Sequence, residues 1–436
     1  MIRALKKFNY KLYLAIFITW LLPTIYTTVR FNFLGNLPND WGYNIASQLQ
    51  YVNLMFEVIQ EALVLPLFFL IGKTISNEEE TKNKVKTGII TIFSIIFIFC
   101  LIMYIFAEPI VVGMAQDSGL VTETVSYIRL ELIGILFSNI VKFLMVLFVL
   151  KELNMDIYIV LVIQMVLTIV LDSLFISELS VSLNLGVNGI AFTNIIVNFV
   201  IFIYMMFRTK HIYSIKWKDY FSDLNFKWQK EWIKVGGFSG IESFVRNFAF
   251  MIMIIRMINV VNEQGTFWIA NTFIWNWMLI PVLTLGELIK KETSEGNNQI
   301  QNNTKSYFIV TTIIVISWLL TIPLWKPFLF NVMNVTDSTK VFNLVLIQLI
   351  FYIIFAYNNI MDSTFYGVGR TDYMLWQSLI VNILFYGCAF ILFKTGVFVP
   401  TLNGIAIMFG LGMVFDFLPT LYLYIKLFKD RQLKIK

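Results

Sequence analysis

Long apolar segments dominate this chain and decide what it can fold into. Twelve segments of roughly 20 or more mostly apolar residues follow one another between short polar stretches. They cover residues 12–34, 44–73, 87–107, 122–150, 155–177, 187–208, 233–257, 265–289, 306–329, 341–369, 373–394 and 403–426. A backbone in lipid must satisfy its own hydrogen bonds, so each segment is predicted to be a transmembrane helix. The composition agrees, because 58% of the residues are hydrophobic and 14% are charged. The predicted fold class is an all-α integral membrane protein.

Short sequence matches recur between the two halves of the chain. Asn-Gly-Ile-Ala occurs at Asn188–Ala191 and again at Asn403–Ala406, 215 residues later. Three further pairs keep nearly the same spacing: Pro66 with Pro281, Val29-Arg30 with Val245-Arg246, and Asn139-Ile140 with Asn359-Ile360. Ordered matches at a nearly constant offset indicate a duplicated unit. We therefore predict two pseudo-symmetric six-helix lobes, an N-lobe at 1–208 and a C-lobe at 233–436, joined by a basic linker at 209–232.

Loop charge predicts the orientation. Basic loops alternate with loops that have no Lys or Arg, with mild exceptions at Lys326, Lys340 and Lys394. This alternation places both termini in the cytoplasm. The basic N-terminus precedes an apolar run without a small-residue cleavage site, so the first helix is expected to remain as a signal anchor. The net charge of +6 is attributed to these loops and not to nucleic-acid binding. Residue usage rich in Ile, Asn and Lys suggests a bacterial plasma membrane protein.

Few residues could support enzyme chemistry. Cys100 and Cys388 lie inside apolar segments, which argues against a disulfide or a metal framework. The single histidine, His211, lies in a polar loop, and no Gly-x-x-x-x-Gly-Lys-Ser/Thr motif for a nucleotide occurs. We expect no enzyme activity and no cofactor apart from H⁺ or Na⁺ as a coupling ion. Tandem membrane bundles of this kind indicate a transporter that works by alternating access around a central site.

Several stretches resemble the multidrug and toxic compound extrusion (MATE) family, within the wider multidrug/oligosaccharidyl-lipid/polysaccharide exporter superfamily. They are Ile169-Val170-Leu171-Asp172, Leu185-Gly186-Val187-Asn188-Gly189-Ile190-Ala191-Phe192-Thr193, Gly236-Gly237-Phe238-Ser239-Gly240-Ile241-Glu242 and Tyr366-Gly367-Val368-Gly369-Arg370-Thr371-Asp372. The resemblance covers nearly the whole chain. It implies a V-shaped pair of six-helix lobes, a large cavity between them, and export driven by Na⁺ or H⁺.

The resemblance also implies a cation site in the N-lobe. Asp172 and Thr193 match the family's residues, and Asp172 is where Na⁺ would bind. Thr168 stands at the position of a family asparagine, and Arg30 stands at the position of a family aspartate. A guanidinium at Arg30 would occupy the volume of the cation and pair with Asp172. This pair is predicted either to open and close during transport or to be a static salt bridge.

Other charges inside predicted spans need a partner or a wet cavity. Glu57 and Glu61 share a helix face and form either a proton carrier or two polar groups on a water-filled cleft. Glu242 and Arg246 either bind substrate or neutralise each other as an i, i+4 pair.

Three more charges are candidates: Lys142 and Asp362 are assigned to the substrate cavity with Glu242 and Arg246, and Asp416 is a weaker candidate. Lys142 and Asp362 occupy matching places in the repeat and either latch the lobes together or, for Lys142, snorkel to the interface. Asp416 lies mid-span near Pro419.

Two function classes remain open. One is a cation-coupled antiporter that exports amphipathic small molecules, with an organic cation or a zwitterion as the substrate. The other is a flippase for anionic lipid-linked sugars, which the many arginines and lysines would suit. Membrane lipid is the only other expected partner, nucleic acid is not expected, and the chain is expected to be a monomer.

Overall fold

The computed structural model describes residues 8–36, 41–72, 74, 77–151, 153–294 and 296–433. This part of the chain is almost entirely helical and contains no β-strand. The helices are α1 (Tyr10–Leu34), α2 (Trp41–Ser47), α3 (Leu49–Leu63), α4 (Leu65–Gly72), α5 (Glu78–Ile105), α6 (Ala107–Gly113), α7 (Val121–Leu150), α8 (Asn154–Phe175), α9 (Val187–Ile212), α10 (Gln229–Phe250), α11 (Arg256–Val260), α12 (Gln264–Phe273), α13 (Ile280–Ser294), α14 (Asn297–Asn331), α15 (Ser338–Gly367), α16 (Thr371–Ile380), α17 (Gly387–Lys394) and α18 (Leu402–Asp430).

The predicted all-α membrane fold is confirmed. Among the described residues, 10 helices are long and apolar enough to cross a membrane, and a bent pair, α12 with α13, raises the number to 11. The second predicted span, 44–73, is divided into α2, α3 and α4, of 7, 15 and 8 residues. Each of these pieces is shorter than the roughly 20 residues that a bilayer crossing needs. Twelve spans in two sets of six are consistent with this arrangement.

The repeated sequence motifs mark equivalent places in helices. Both Asn-Gly-Ile-Ala copies begin at the second residue of a helix, with Asn188 in α9 and Asn403 in α18. Pro66 and Pro281 are likewise the second residues of α4 and α13. Proline is tolerated in the first turn of a helix, where its missing N–H group would have no intrahelical partner. Each proline therefore begins a new helix after a break.

The contacts group the chain into two compact units. One unit contains residues 1–35 and 252–436, and the other contains residues 36–251. In the first unit, α1 packs against α13, while α15 packs against α12, α13, α14 and α18. In the second unit, α10 packs against α3, and α7 packs against α5 and α9. This grouping differs from the lobe boundaries predicted from the repeat, because α1 groups with the second half and α10 with the first. The predicted lobes at 1–208 and 233–436 and the linker at 209–232 are units of the sequence repeat and stay a prediction.

Small residues bring α10 against α3. A Cβ atom added to Gly236 would collide with the carbonyl oxygen of Ala62, and one added to Gly240 would lie 2.8 Å from the Ala62 Cβ. Gly237, between them, faces open space. Close approach through small residues four apart is a common way for helices to associate in membranes.

Candidate functional site

A group of polar side chains lies on one face of α3 and extends to α7 and α10. We call Glu57, Gln60, Glu61, Lys142 and Arg246 the α3 cluster. Arg246 Nη2 donates to Glu61 Oε1 at 2.8 Å and to Glu57 Oε1 at 3.2 Å. Lys142 Nζ donates to Gln60 Oε1 at 2.7 Å. The i, i+3 and i+4 spacing in α3 puts its three members on one side of the helix.

The α3 cluster is accessible although it lies within predicted spans. The side chains of Glu57, Glu61 and Arg246 are 42%, 21% and 38% exposed. Charged groups near the centre of a bilayer avoid contact with lipid, because the cost is at least about 2.5 kcal/mol per charge. We therefore assign this face of α3 to a water-filled space. Its two carboxylates and two cations can hold opposite charges of one ligand.

The position of Arg246 is fixed by the packing of α10. Trp232 Nε1 donates to the Leu63 carbonyl oxygen at 2.8 Å, and Asn247 Nδ2 donates to the Leu54 carbonyl oxygen at 3.1 Å. These bonds join α10 to α3 at two levels, so that Arg246 points at the α3 carboxylates. The predicted partner of Arg246, Glu242, has a side chain that lies outside the described residues.

A second polar group lies in the other unit, where α15, α16 and α18 meet. We call Asn358, Asp362, Gln377, Asp416 and Thr420 the α15 cluster. Asn358 Nδ2 donates to Asp416 Oδ2 at 2.7 Å and to Asp362 Oδ2 at 3.3 Å. Gln377 Nε2 donates to Asp362 Oδ1 at 2.9 Å, and Thr420 Oγ1 donates to Gln377 Oε1 at 3.0 Å. One asparagine thus links two carboxyl groups from different helices.

The α15 cluster can hold a proton or a small cation. Asn358, Gln377 and Thr420 are buried, and Asp362 and Asp416 are half-buried. Asn358 Oδ1 is buried and has no hydrogen-bond partner in the described part of the chain. That oxygen and the carboxylate oxygens are hard ligands of the kind that alkali and alkaline-earth cations take. Sequence reasoning found Asp362 and Asp416 separately. The i, i+4 spacing of Asn358 and Asp362 was the available signal that they share a face.

The predicted latch between Lys142 and Asp362 stays a prediction. The two residues belong to different units, Lys142 to residues 36–251 and Asp362 to residues 252–436. Within its own unit, Lys142 binds Gln60, and Asp362 binds Gln377 and Asn358.

The predicted cation site around Asp172 is buried. Asp172, Thr168 and Thr193 are 1%, 3% and 0% exposed. Thr168 and Asp172 are four residues apart in α8, and Thr193 Oγ1 has no hydrogen-bond partner among the described residues. Arg30 belongs to the other unit, so its pairing with Asp172 stays a prediction.

A further carboxylate in this unit was missed as a site residue. Glu131 of α7 is only 2% exposed, and its Oε1 accepts a hydrogen bond from Asn194 Nδ2 at 2.8 Å. Asn194 follows Thr193 directly in α9. Glu131 lies about 15 Å along α7 from its first residue, Val121, at 1.5 Å of rise per residue.

Comparison with solved structures identifies the fold. No family model and no curated protein sequence matches the chain. Its fold is shared with multi-span helical membrane transporters, as solved structures covering nearly all of the chain show. An inward-facing MATE family transporter of the MOP superfamily matches with a TM-score of 0.75 and 16% identity, over 94% of this chain and 96% of that one.

Two further structures extend this likeness. A mutant MATE transporter from Vibrio cholerae matches with a TM-score of 0.66 and 14% identity, over 97% of this chain and 96% of its own. A MOP superfamily transporter from Pyrococcus furiosus, for which a binding pocket of reverse polarity suggests a different function, has a TM-score of 0.66 and 17% identity. It covers 95% of this chain and 94% of its own. The resemblance found in the sequence motifs is thus confirmed at the level of the fold, which is the MATE transporter fold.

Proposed function

We propose that this chain is a secondary-active, cation-coupled antiporter of the MATE type that exports amphipathic small molecules by alternating access. It would act as a monomer in a bacterial plasma membrane, with both termini in the cytoplasm. The observation that carries the proposal is the α15 cluster, in which Asn358 links the carboxyl groups of Asp362 and Asp416 inside a fold shared with MATE transporters.

Two carboxyl groups in a membrane-spanning bundle are costly unless they bind something. Two interacting carboxyl groups take up protons in coupled steps, and a cation can replace a proton there. An ion can drive transport only by the difference in its affinity for the two states of the protein. Because α15 packs against five other helices, occupation of the α15 cluster would change the packing of the whole unit.

The α3 cluster supports a zwitterionic substrate. Glu57 and Glu61 would accept hydrogen bonds from an ammonium group, while Lys142 and Arg246 would bind an anionic group. A substrate that inserts between Arg246 and the carboxylates would replace ion pairs that already exist, so its charges would not be left uncompensated.

The flippase for anionic lipid-linked sugars is the second candidate. Arg246 and Lys142 favour it, because arginine binds phosphate well. A binding assay with a cationic dye against a polyprenyl-phosphate sugar separates the two candidates. Arg246→Gln should weaken binding of the lipid-linked sugar far more than binding of the dye.

The coupling test is transport in proteoliposomes with imposed H⁺ and Na⁺ gradients, applied separately. Asp362→Asn and Asp416→Asn should each reduce gradient-driven export at least tenfold. Asp337→Asn is the matched control, because in the described part of the chain this side chain caps the start of α15, where it accepts a hydrogen bond from the Lys340 backbone N–H. Export that persists in the Asp362→Asn, Asp416→Asn double variant would exclude the α15 cluster from coupling.

The predicted N-lobe site has its own test. Asp172→Asn should abolish ion-coupled export while leaving expression intact, and normal export would remove Asp172 from the mechanism. Arg30→Ala should shift the pH dependence of transport, and an unchanged profile would mean that Arg30 has a structural role.

A further inference from the structure

A pocket of about 310 Å³ lies between the start of α16 and the end of α18. Its lining changes in character along both helices. Arg370, just before α16, and Lys426, near the end of α18, lie at one end, followed by Trp376 and Tyr422, and then by Ile380 and Pro419. The two helices run in opposite directions here, so the charged residues share one level and the apolar residues another. Eight residues of helix separate Asp372 from Ile380, which is about 12 Å of depth.

The charged end of this pocket carries a net positive charge, because two cations, Arg370 and Lys426, lie there with one carboxylate, Asp372. Arg370 Nε and Nη2 donate to the two carboxylate oxygens of Asp372, each at 2.8 Å. This fork neutralises Asp372 and leaves Arg370 Nη1 with further N–H groups to donate. The guanidinium also stacks on the Tyr373 ring, 3.7 Å from its centroid. Lys426 is exposed and forms no ion pair with any described residue.

The walls of the pocket are aromatic and open to the outside. Trp376 is 60% exposed and Tyr422 is 67% exposed, although both lie on helices that are long and apolar enough to cross the membrane. Phe365, Tyr373 and Leu427 belong to a buried hydrophobic cluster next to the pocket, and Tyr373 also forms part of the pocket lining. The exposed rings therefore face the bilayer. Trp and Tyr in such positions are typical of the interface between headgroups and acyl chains.

We infer that this pocket binds one anionic phospholipid of the cytoplasmic leaflet, with the phosphate at Lys426 and Arg370 and an acyl chain along Trp376, Tyr422 and Ile380. This inference rests on the orientation given under the proposed function, in which the basic turn at Arg370 and the basic C-terminal end of α18 lie on the cytoplasmic side. That leaflet is rich in anionic lipids, and basic pockets between membrane helices bind their headgroups. A water-soluble anion would not need the apolar wall, which is the reason for assigning a lipid.

The test measures retained lipid by native mass spectrometry of the full chain, purified in detergent with equal amounts of phosphatidylglycerol and phosphatidylcholine. The wild type should retain one phosphatidylglycerol in preference to phosphatidylcholine. Lys426→Gln should lower its apparent affinity about fivefold, as expected for one lysine near an anionic headgroup. Lys429→Gln is the matched control, since this residue is also exposed on α18 but does not line the pocket.

A second variant separates the headgroup from the chain. Trp376→Ala should weaken retention of both phospholipids, because it removes apolar surface that would contact the acyl chain and leaves the charges in place. Inorganic phosphate at millimolar concentration should not displace the bound lipid. Equal retention of the two lipids by the wild type, an unchanged affinity in Lys426→Gln, or displacement by inorganic phosphate would each overturn the assignment.

Discussion

The coupling free energy of the hydrogen bond between Asn358 and Asp416 reports whether the Asp416 carboxyl group is ionised. The Nδ2 to Oδ2 distance is 2.7 Å, at the short end of the range for amide donors, and the bond joins two different helices. Bonds to an ionised acceptor are shorter and stronger than bonds between neutral groups. Replacing Asn358 and Asp416 by Leu, singly and together, isolates this one contact in a double-mutant cycle.

Two magnitudes decide what the cycle should give. Neutral hydrogen bonds between membrane helices average about 0.6 kcal/mol in such cycles. Hydrogen bonds to charged groups contribute about 1.5–3 kcal/mol. With the carboxylate of Asp416 ionised, we expect a coupling free energy of about 2 kcal/mol at pH 8. Each single replacement should itself be destabilising, because it leaves a buried polar group without its donor or acceptor.

The assay is reversible unfolding of the purified protein in mixed micelles titrated with sodium dodecyl sulfate. Asn382→Leu combined with Asp416→Leu is the matched control. Among the described residues, Asn382 Nδ2 donates within its own turn alone, to the carbonyl oxygen and the hydroxyl of Ser378. This control pair should be additive to within about 0.5 kcal/mol. A coupling of about 0.6 kcal/mol or less between Asn358 and Asp416 would refute an ionised Asp416 and, with it, the argument for a cation at this cluster.

Three further predictions concern the packing and charge of the unit formed by residues 36–251. Gly236→Ala should destabilise the protein by about 1–3 kcal/mol through overpacking against α3, whereas Gly237→Ala should have almost no effect, by the same unfolding assay. Asp156→Asn should reduce the free energy of unfolding by about 1–2 kcal/mol, because it breaks a bidentate ion pair with Arg208, whose side chain is 41% exposed. Equal stability of the variant would show that the pair contributes nothing. Burial raises the pKa of Tyr213 to about 12. Its unfolded form therefore loses its proton first, and stability should fall as the pH rises from about 10 to 12. Tyr213→Phe should remove that part of the pH dependence of unfolding.

The sequence predicts the fold class well because its main signal is local. A run of about 20 apolar residues allows few structures in lipid, and a repeated tetrapeptide marks equivalent helix starts at Asn188 and Asn403. The second predicted span shows where this reasoning ends. Hydropathy averages over residues 44–73 and does not register the breaks after Ser47 and Leu63. A helix break depends on backbone geometry, and Pro66, at the start of α4, was the one sequence signal for such a break in this span.

The partners of buried charges were harder to predict, since they come from other helices. Gln377 and Thr420 join Asp362 and Asp416 only through the packing of α16 and α18 against α15. Arg246 shows the same limit. Its ion pairs with Glu57 and Glu61 come from another helix, α3, whereas the sequence offered only Glu242 of its own helix as a candidate. The predicted pair with Glu242 stays a prediction.

Arg246 lies close to a point where the chain passes from one compact unit to the other. The chain passes from one unit to the other only after Gly35 and after Met251 among its described residues. Arg246 lies just before the second crossing, near the end of α10 and next to the π-helical turn Met251–Ile255. Its ion pairs with Glu57 and Glu61 join the end of α10 to α3, within the unit formed by residues 36–251. A ligand or a proton that competes for those carboxylates would therefore weaken the ion pairs that join the end of α10 to α3, and these pairs are already partly exposed to water.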